Sequence, residues 1–134
     1  MTEFLTIYKF RDNKEAIERL QEVSSDPKSI HGLKVENELL AGAKEWFLAT
    51  EDGRIPIETL EGRISKVYMS GHNDYPEFEI ESKEGLSTWT KQGHDSLYQV
   101  GKLVEIDFVI QKYKRPWDML GPTTKLVLEI RIEK

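Results

Sequence analysis

The second half of the chain carries a regular alternation of apolar and polar residues, and this pattern constrains the fold more than any other feature. It runs through five short segments between residues 61 and 133. In one of them, Val104 and Ile106 alternate with Glu105 and Asp107. Because successive side chains of a β-strand point to opposite faces, one face of each segment is predicted to be buried and the other to meet water. Burial of one face also fixes the register in which such strands pair.

Five strands and their turns occupy about seventy residues, which is the size of a small barrel or sandwich. The predicted strands are Gly62–Met69, Glu77–Glu81, Leu86–Lys91, Lys102–Gln111 and Lys125–Glu133. This layout resembles that of the OB-fold, a five-stranded Greek-key barrel. The resemblance lies at the level of the fold and covers only the C-terminal half. It implies an OB-like five-stranded barrel or sandwich there.

The N-terminal part of the chain predicts a strand followed by a helix. Glu3–Phe10 is rich in β-branched and aromatic residues, which favour strands. Asp12 and Glu15 have the spacing of a capping box, and apolar residues then recur at helical intervals as far as Ser25. Pro27 ends the helix, because a proline disfavours the helical conformation of the residue before it.

Residues 29–50 admit two interpretations, a helix over Asn37–Ala49 or two short strands. We favour a strand for the second half, because its apolar residues run directly into Asp52-Gly53. An Asp-Gly pair between apolar segments is a strong hairpin signal. Arg54–Glu58 would then be the return strand, and its proline places it at a sheet edge.

Together these elements predict an α+β protein dominated by antiparallel sheet. The length of 134 residues predicts a single domain, 1–134, with a strand–helix–hairpin portion at 1–59 packed on an OB-like portion at 60–134. The net charge of −5 opposes general attraction to polyanions. The absence of cysteine excludes disulfides and thiolate metal sites. No signal peptide or membrane-spanning run is visible, so a cytoplasmic location and no membrane partner are expected.

A basic-aromatic segment, predicted as a loop within Gln111–Thr124, is a candidate binding surface. It contains Lys112, Tyr113, Lys114, Arg115 and Trp117. In the OB-like layout this loop and Ser70–Tyr75 are the two that such barrels use on oligonucleotides, with aromatic rings stacking on bases and cations meeting phosphates. The neighbouring strand opposes this hypothesis, because Glu77, Glu79 and Glu81 lie on the face that a nucleic acid would approach.

Two short segments, Gly71-His72-Asn73-Asp74 and Gly93-His94-Asp95-Ser96, supply residue types that bind zinc or iron. His72, Asp74 and His94 are the candidate ligands of a metal-dependent enzyme. The segments are distant in sequence, and Gly, Asn and Asp are also ordinary turn residues. We therefore prefer a turn to a metal site at each of them.

No catalytic fingerprint stands out in the sequence, and no cofactor is predicted. The leading hypothesis is a non-enzymatic binding module for a protein partner or a small ligand. Its predicted surface is lined by Tyr75, Trp89, Tyr113 or Trp117, because interfaces favour large aromatic residues. Single-stranded nucleic-acid binding and a metal-dependent enzyme are the alternatives, and the oligomeric state is left open.

Overall fold

The computed structural model describes residues 2–29, 31–68, 76–93, 96–117 and 121–134, with the backbone alone at residues 116 and 117. The strands and helices in chain order are β1 (Phe4–Lys9), α1 (Lys14–Ser25), α2 (Lys44–Glu51), β2 (Glu58–Tyr68), β3 (Glu77–Ser82), β4 (Gly85–Thr90), β5 (Leu103–Trp117) and β6 (Gly121–Glu133). A single 3₁₀ turn, Phe10–Asp12, joins β1 to α1. Within these described parts, no helix is long and apolar enough to cross a bilayer.

One sheet of six strands forms the scaffold, in the order β1-β6-β5-β2-β3-β4. The pairs β1–β6, β2–β3 and β3–β4 are antiparallel. The predicted α+β class with mainly antiparallel sheet is therefore confirmed. The N-terminal strand joins the sheet as a sixth strand beside β6. The sheet is open, with β1 and β4 at its ends, and the OB-like form of the C-terminal half stays a prediction.

The chain divides into two compact units, each assembled from separate stretches of sequence. Unit 1 comprises Met1–Lys9, Thr59–Asp107 and Glu129–Lys134, and unit 2 comprises Phe10–Glu58 and Phe108–Leu128. Both helices belong to unit 2, whereas β3 and β4 lie entirely in unit 1.

The core of unit 1 is built from the apolar halves of the alternating strands. Its most deeply buried side chains are Ile64, Phe78, Ile80, Val104, Ile106, Ile130 and Ile132. Tyr98 closes part of this core, with its ring centroid 4.7 Å from that of Phe78. The Tyr98 hydroxyl donates to the Gln92 carbonyl and accepts from its amide, so the polar tip of a buried ring is satisfied.

In unit 2, helix α1 begins one residue later than the sequence predicts. Asn13 is the N-cap, and its side-chain oxygen accepts a hydrogen bond from the Ala16 amide at 3.2 Å. Asp12, the predicted cap, lies in the preceding 3₁₀ turn. The turn places the buried ring of Phe10 against Trp46 and Phe47. This packing fixes the chain direction before the helix, so the asparagine and not the aspartate meets the free amides.

The predicted hairpin around Asp52-Gly53 is wrong, because Lys44–Glu51 is helix α2. Trp46, Ala49 and Thr50 are buried at helical spacing, which puts them on one face. Gly53 follows the helix with a φ of +85°, the left-handed conformation that ends many helices. The return strand predicted at Arg54–Glu58 is also wrong, because β2 begins only at Glu58. A glycine after a short apolar run therefore served as a helix stop.

The predicted loop at Gln111–Thr124 is wrong for most of its length, because β5 continues to Trp117 and β6 begins at Gly121. The segment around Leu33 pairs with this part of β5. The Lys34 amide donates to the Lys112 carbonyl at 2.8 Å, and the Lys114 amide donates to the Gly32 carbonyl at 3.0 Å. These distant partners satisfy the backbone of a charged segment and keep it extended.

A tight turn follows this pairing at Glu36–Leu39. The Leu39 amide donates to the Glu36 carbonyl at 2.9 Å, and the two residues also form a β-bridge. The central residues, Asn37 and Glu38, have φ values of 52° and 62°. Positive φ at both central positions is the signature of a type I′ turn, which strongly favours glycine at the second of them. Glu38 is thus in a conformation that its side chain disfavours.

Replacing Glu38 by glycine should stabilise the chain by about 1 kcal/mol, because a residue without a Cβ adopts positive φ without strain. The free energy of unfolding in urea measures the effect. Glu38→Ala is the matched control, since alanine removes the same carboxylate but keeps the Cβ. Equal gains in both variants would show that the charge, and not the backbone, sets the cost.

Candidate functional site

A row of three glutamates follows one face of β3 in unit 1. Glu77, Glu79 and Glu81 alternate with the buried residues Phe78 and Ile80, so the carboxylates lie on the face opposite the core. Across the pair with β4, the glutamates face Thr90, Thr88 and Leu86 in that order. The last of these is an apolar side chain with 64% of its surface exposed. This side of the two strands therefore combines negative charge with an accessible apolar residue.

The strand β4 is the last strand of the described sheet, and its hydrogen bonds show which of its backbone groups face β3. The Lys91 amide, just after the strand, donates to the Pro76 carbonyl beside β3 at 2.9 Å. Backbone groups of successive residues point to opposite sides of an antiparallel strand. The uninterrupted register with β3 therefore directs the amides and carbonyls of Leu86, Thr88 and Thr90 away from β3. We call these three residues the open edge.

Unit 1 holds most of the net negative charge of the chain. It has 12 acidic and 8 basic residues, a net of −4, whereas unit 2 has 12 and 11, a net of −1. On β2, the Ser65 hydroxyl donates to the Glu79 carboxylate at 2.8 Å. A register shift between Ile64 and Lys66 places this serine at a bulge. The bulge orients one of the three glutamates.

An ion-pair network lies on β5 and β6 of the same unit. Arg131 donates two parallel hydrogen bonds to the two oxygens of Asp107, at 2.8 and 2.9 Å. Its Nε donates to Glu105 at 3.2 Å, and it also pairs with Glu129. The four side chains are between 21% and 27% exposed. One guanidinium thus holds three carboxylates in a partly buried site, where the planar fork of arginine is well matched to them.

Hydrogen bonding dominates the electrostatics of this network. The hydrogen bonds from Arg131 lower the pKa of Asp107, against the opposing effect of burial, and a further bond from the Thr59 hydroxyl at 2.7 Å lowers it as well. The bond to Asp107 in turn raises the pKa of Arg131 above its ordinary range. Asp107 and Arg131 are therefore both ionised at neutral pH.

Unit 2 contains a separate cleft of about 600 Å³ beside Trp46. The Trp46 indole donates to the Gln111 side chain at 3.3 Å. At the rim, Glu36 lies 3.2 Å from the ammonium of Lys112 and 3.9 Å from that of Lys34. The two lysines therefore share one carboxylate, which balances one of their two positive charges at the rim of the cleft.

Two of the three basic residues proposed from the sequence, Lys112 and Lys114, have partners within unit 2. The Lys114 ammonium donates to the carbonyls of Val23, Asp26 and Ser29 at 2.6, 2.7 and 3.2 Å. These carbonyls lie at the end of α1, so the lysine caps the helix and complements its dipole. Lys112 pairs with the carboxylate at the cleft rim, and Arg115 is exposed.

The structure describes some of the aromatic and metal-binding candidates, and the others lie outside the described residues. Trp89 is only 8% exposed, and its indole donates to the Ser87 hydroxyl at 2.8 Å. Tyr113 is half-buried, and its backbone forms the bridge to Leu33. The other candidates, His72, Asp74, Tyr75, His94 and the side chain of Trp117, lie outside the described residues. Among the residues that are described, no three histidines or carboxylates are grouped for a metal ion.

Sequence reasoning missed the open edge, although a signal for it exists. The strand Gly85–Thr90 contains no charged residue and no proline after its glycine. Natural sheets commonly protect their edges with such residues. Only the strand order, which the sequence does not supply, identifies β4 as an edge. The network around Arg131 was likewise recognised only as the polar side of two strands.

Replacing Lys114 by methionine should lower the free energy of unfolding by about 1.5–3 kcal/mol, because three carbonyls at the end of α1 lose a charged donor. Urea unfolding followed by far-UV circular dichroism measures the loss. Arg115→Met is the matched control, since it removes a neighbouring exposed cation and should change stability by less than about 0.5 kcal/mol. Equal losses would mean that Lys114 acts only through net charge.

Replacing Arg131 by methionine should destabilise the chain by about 2 kcal/mol at neutral pH, because three carboxylates lose their common cation while keeping some contact with water. The pKa of Asp107 is lower in the folded chain than in the unfolded chain. The ionised carboxylate therefore contributes fully to the free energy of unfolding above the unfolded pKa of about 3.9, and this contribution is lost as the pH falls through the folded pKa. The stability difference between Arg131→Met and the wild type should therefore shrink towards about pH 2 in urea titrations.

Arg131→Lys is the control for this prediction, because lysine keeps the charge but cannot form the two parallel bonds. It should lose less stability than Arg131→Met. A difference from the wild type that is the same at neutral and acid pH would rule out ion pairing as the cause.

The comparison with known proteins bears on the chain as a whole. No curated protein matches it. A protein-family model described as "Immunity protein RhsI2" matches residues 4–133, from the first residue of β1 to the last residue of β6. A match of this extent covers both units and every described strand and helix. The chain belongs to the RhsI2 immunity protein family.

Proposed function

We propose that this protein is an immunity protein that binds a toxin domain and thereby neutralises it. The match of the family model to residues 4–133 carries this proposal. Membership of an immunity family supports the protein-partner form of the binding-module hypothesis. Inhibition by binding requires a stable complex and no chemistry by the inhibitor. A cytoplasmic location stays a prediction.

The surface of unit 1 offers what a protein partner needs. Specific protein interfaces bury about 800 Å² on each side and combine apolar contacts with a polar rim. The glutamate row of β3 and the exposed Leu86 of β4 provide both features on adjacent strands. The net charge of −4 in unit 1 would also steer a partner with a basic surface.

The partners of the basic segment on β5 favour a protein over a nucleic acid. Lys114 is occupied by carbonyls of its own chain, and Lys112 is paired with Glu36. A phosphate backbone would have to displace these contacts before the two lysines could bind it. In unit 1, the glutamates of β3 would also repel the phosphates of a nucleic acid.

The proposal predicts that the chain protects a cell from one toxin domain encoded in the same genome. Each such domain would be induced in a test strain alone and together with this chain. We expect growth to be restored for one toxin only, because specific recognition is a difference between affinities. The protective pair should then co-purify as a complex of defined mass, measured by size-exclusion chromatography with light scattering.

An unrelated small acidic protein, expressed at the same level, is the control for a general effect of expression load. Protection against none of the toxin domains, with the chain folded and expressed, would contradict the proposed function. Protection without a complex would contradict inhibition by binding.

A further inference from the structure

We propose that the open edge of β4 receives an extended, basic segment of the toxin as an additional strand of the sheet. This inference rests on the proposed function and names the surface and the chemistry of the partner. Strand addition is a common mode of recognition, in which backbone hydrogen bonds supply affinity and side chains supply specificity. The observations that carry it are a backbone edge in the described sheet, the absence of protective residues within the strand Gly85–Thr90 itself, and a charged row beside it.

The backbone of β4 is positioned for such pairing. The register with β3 runs without a shift from Thr90 to Gly85. It directs the amides and carbonyls of Leu86, Thr88 and Thr90 outwards, and all three residues are exposed. Three donors and three acceptors in a straight row match the hydrogen-bonding pattern of an antiparallel strand.

The two ends of the sheet differ in how they are protected. At the other end, β1 carries a register shift between Thr6 and Tyr8, which interrupts a straight edge. The backbone of Gly93, three residues after the end of β4, also approaches β1 closely, since a Cβ on this glycine would clash with the Ile7 carbonyl oxygen. By contrast, the β4 segment Gly85–Thr90 has no bulge, no charge and no proline. An unprotected edge of this kind is a natural template for another strand.

The glutamate row identifies the charge of the occupant. An added strand would lie two strand spacings, roughly 10 Å, from β3. Long lysine or arginine side chains can bridge much of that distance along the exposed face, above Thr88 and Thr90. They would meet Glu77, Glu79 and Glu81, and such pairing favours a basic segment over a neutral or acidic one.

The same charges disfavour a second copy of this chain at the edge. Pairing β4 with β4 of another copy would bring two glutamate rows onto one continuous face. It would also bring together two units that each carry a net charge of −4. The two rows would lie three strand spacings, roughly 14 Å, apart, so the repulsion between them is strongest at low salt. A basic toxin segment would neutralise the negative charge of the glutamate row, whereas a second copy would double it.

The cleft of unit 2 is a weaker candidate for the same role. Its volume of about 600 Å³ suits one or two side chains or a small molecule. The two lysines at its rim already share Glu36. The edge of β4 presents a straight row of outward backbone groups, so it carries the inference.

Amide hydrogen exchange followed by NMR gives the most direct test, using the toxin domain that this chain neutralises in the co-expression experiment. In the free chain, the outward amides of Leu86, Thr88 and Thr90 should exchange rapidly, while those of Ser87 and Trp89 are protected by β3. In the complex, we expect the three outward amides to slow at least about tenfold as they gain strand partners. The alternating pattern distinguishes strand pairing from general coverage.

Thr88→Pro tests the pairing by mutation. It removes one outward amide, which β3 does not use, and edge positions tolerate proline for that reason. We expect the dissociation constant of the toxin complex to rise at least about tenfold, as measured by isothermal titration calorimetry. Thr88→Val is the matched control, because it changes the side chain and keeps the amide, and it should bind within about twofold of the wild type. Should Thr88→Pro fail to fold, the exchange pattern of the wild type still decides the question.

A pair of charge reversals tests the chemistry of the partner. Glu77→Lys/Glu81→Lys should weaken toxin binding at least about tenfold at low salt, and the loss should diminish as salt screens the charges. Glu18→Lys/Glu22→Lys is the matched control, since it makes the same change in net charge at exposed positions of α1 in unit 2. Equal losses in both double variants would overturn a specific role for the β3 row.

The outcomes separate this inference from the proposed function. Tight toxin binding with rapid exchange at the open edge, and with Thr88→Pro unaffected, would overturn strand addition and leave the immunity function intact. Slow, concentration-dependent exchange at the same amides without toxin would identify a second copy as the occupant and overturn the inference. Failure of the wild-type chain to bind or neutralise any toxin domain would instead overturn the proposed function.

Discussion

Burial of one face of β3 is the constraint on which the exposed surface of unit 1 depends. Phe78 and Ile80 are completely buried, and their positions exclude a one-residue shift of register against β4. A shift by one residue would bury the glutamates and expose the two apolar side chains. The same register decides which backbone groups of β4 face away from the sheet. Core packing thereby places the glutamates of β3 on the exposed face and determines which backbone groups of β4 point away from the sheet.

The net charge of −4 in unit 1 carries an energetic cost that the fold offsets locally. On β5 and β6, Arg131 is surrounded by Glu105, Asp107 and Glu129, so attraction to one cation outweighs repulsion among the carboxylates. On β3, repulsion is weakened by exposure to water and by the hydrogen bond from Ser65 to Glu79. The stabilised carboxylates lie on β5 and β6, whereas those of β3 are left open to a partner.

The sequence predicted the elements whose signal is local and missed those that depend on distant partners. Alternation located β2, β3, β4 and β6 within a few residues, and helical spacing located α1. The short apolar run around Trp46 fits a strand or a helix equally well, and only its packing against Phe10 distinguishes the two. The extension of β5 depends on pairing with Leu33, and the capping role of Lys114 depends on α1, about ninety residues earlier in the chain. The lack of charge and proline in Gly85–Thr90 is a local signal of an unprotected strand, but the strand order that makes β4 an edge has no local signal.

Charge and backbone pairing contribute differently to a proposed complex on β4. Long-range attraction to an acidic unit raises the rate of encounter and weakens with salt, whereas backbone hydrogen bonds form only after the strand is aligned and slow its release. Backbone pairing alone is indifferent to sequence, since every residue except proline offers the same donor and acceptor. Selectivity for one toxin must therefore come from side chains, here Leu86 and the glutamate row. Leu86 and the glutamates lie on the same face, and alternate side chains of an added strand also share one face. A toxin segment whose side chains on that face are basic beside the glutamates and apolar beside Leu86 would therefore match both.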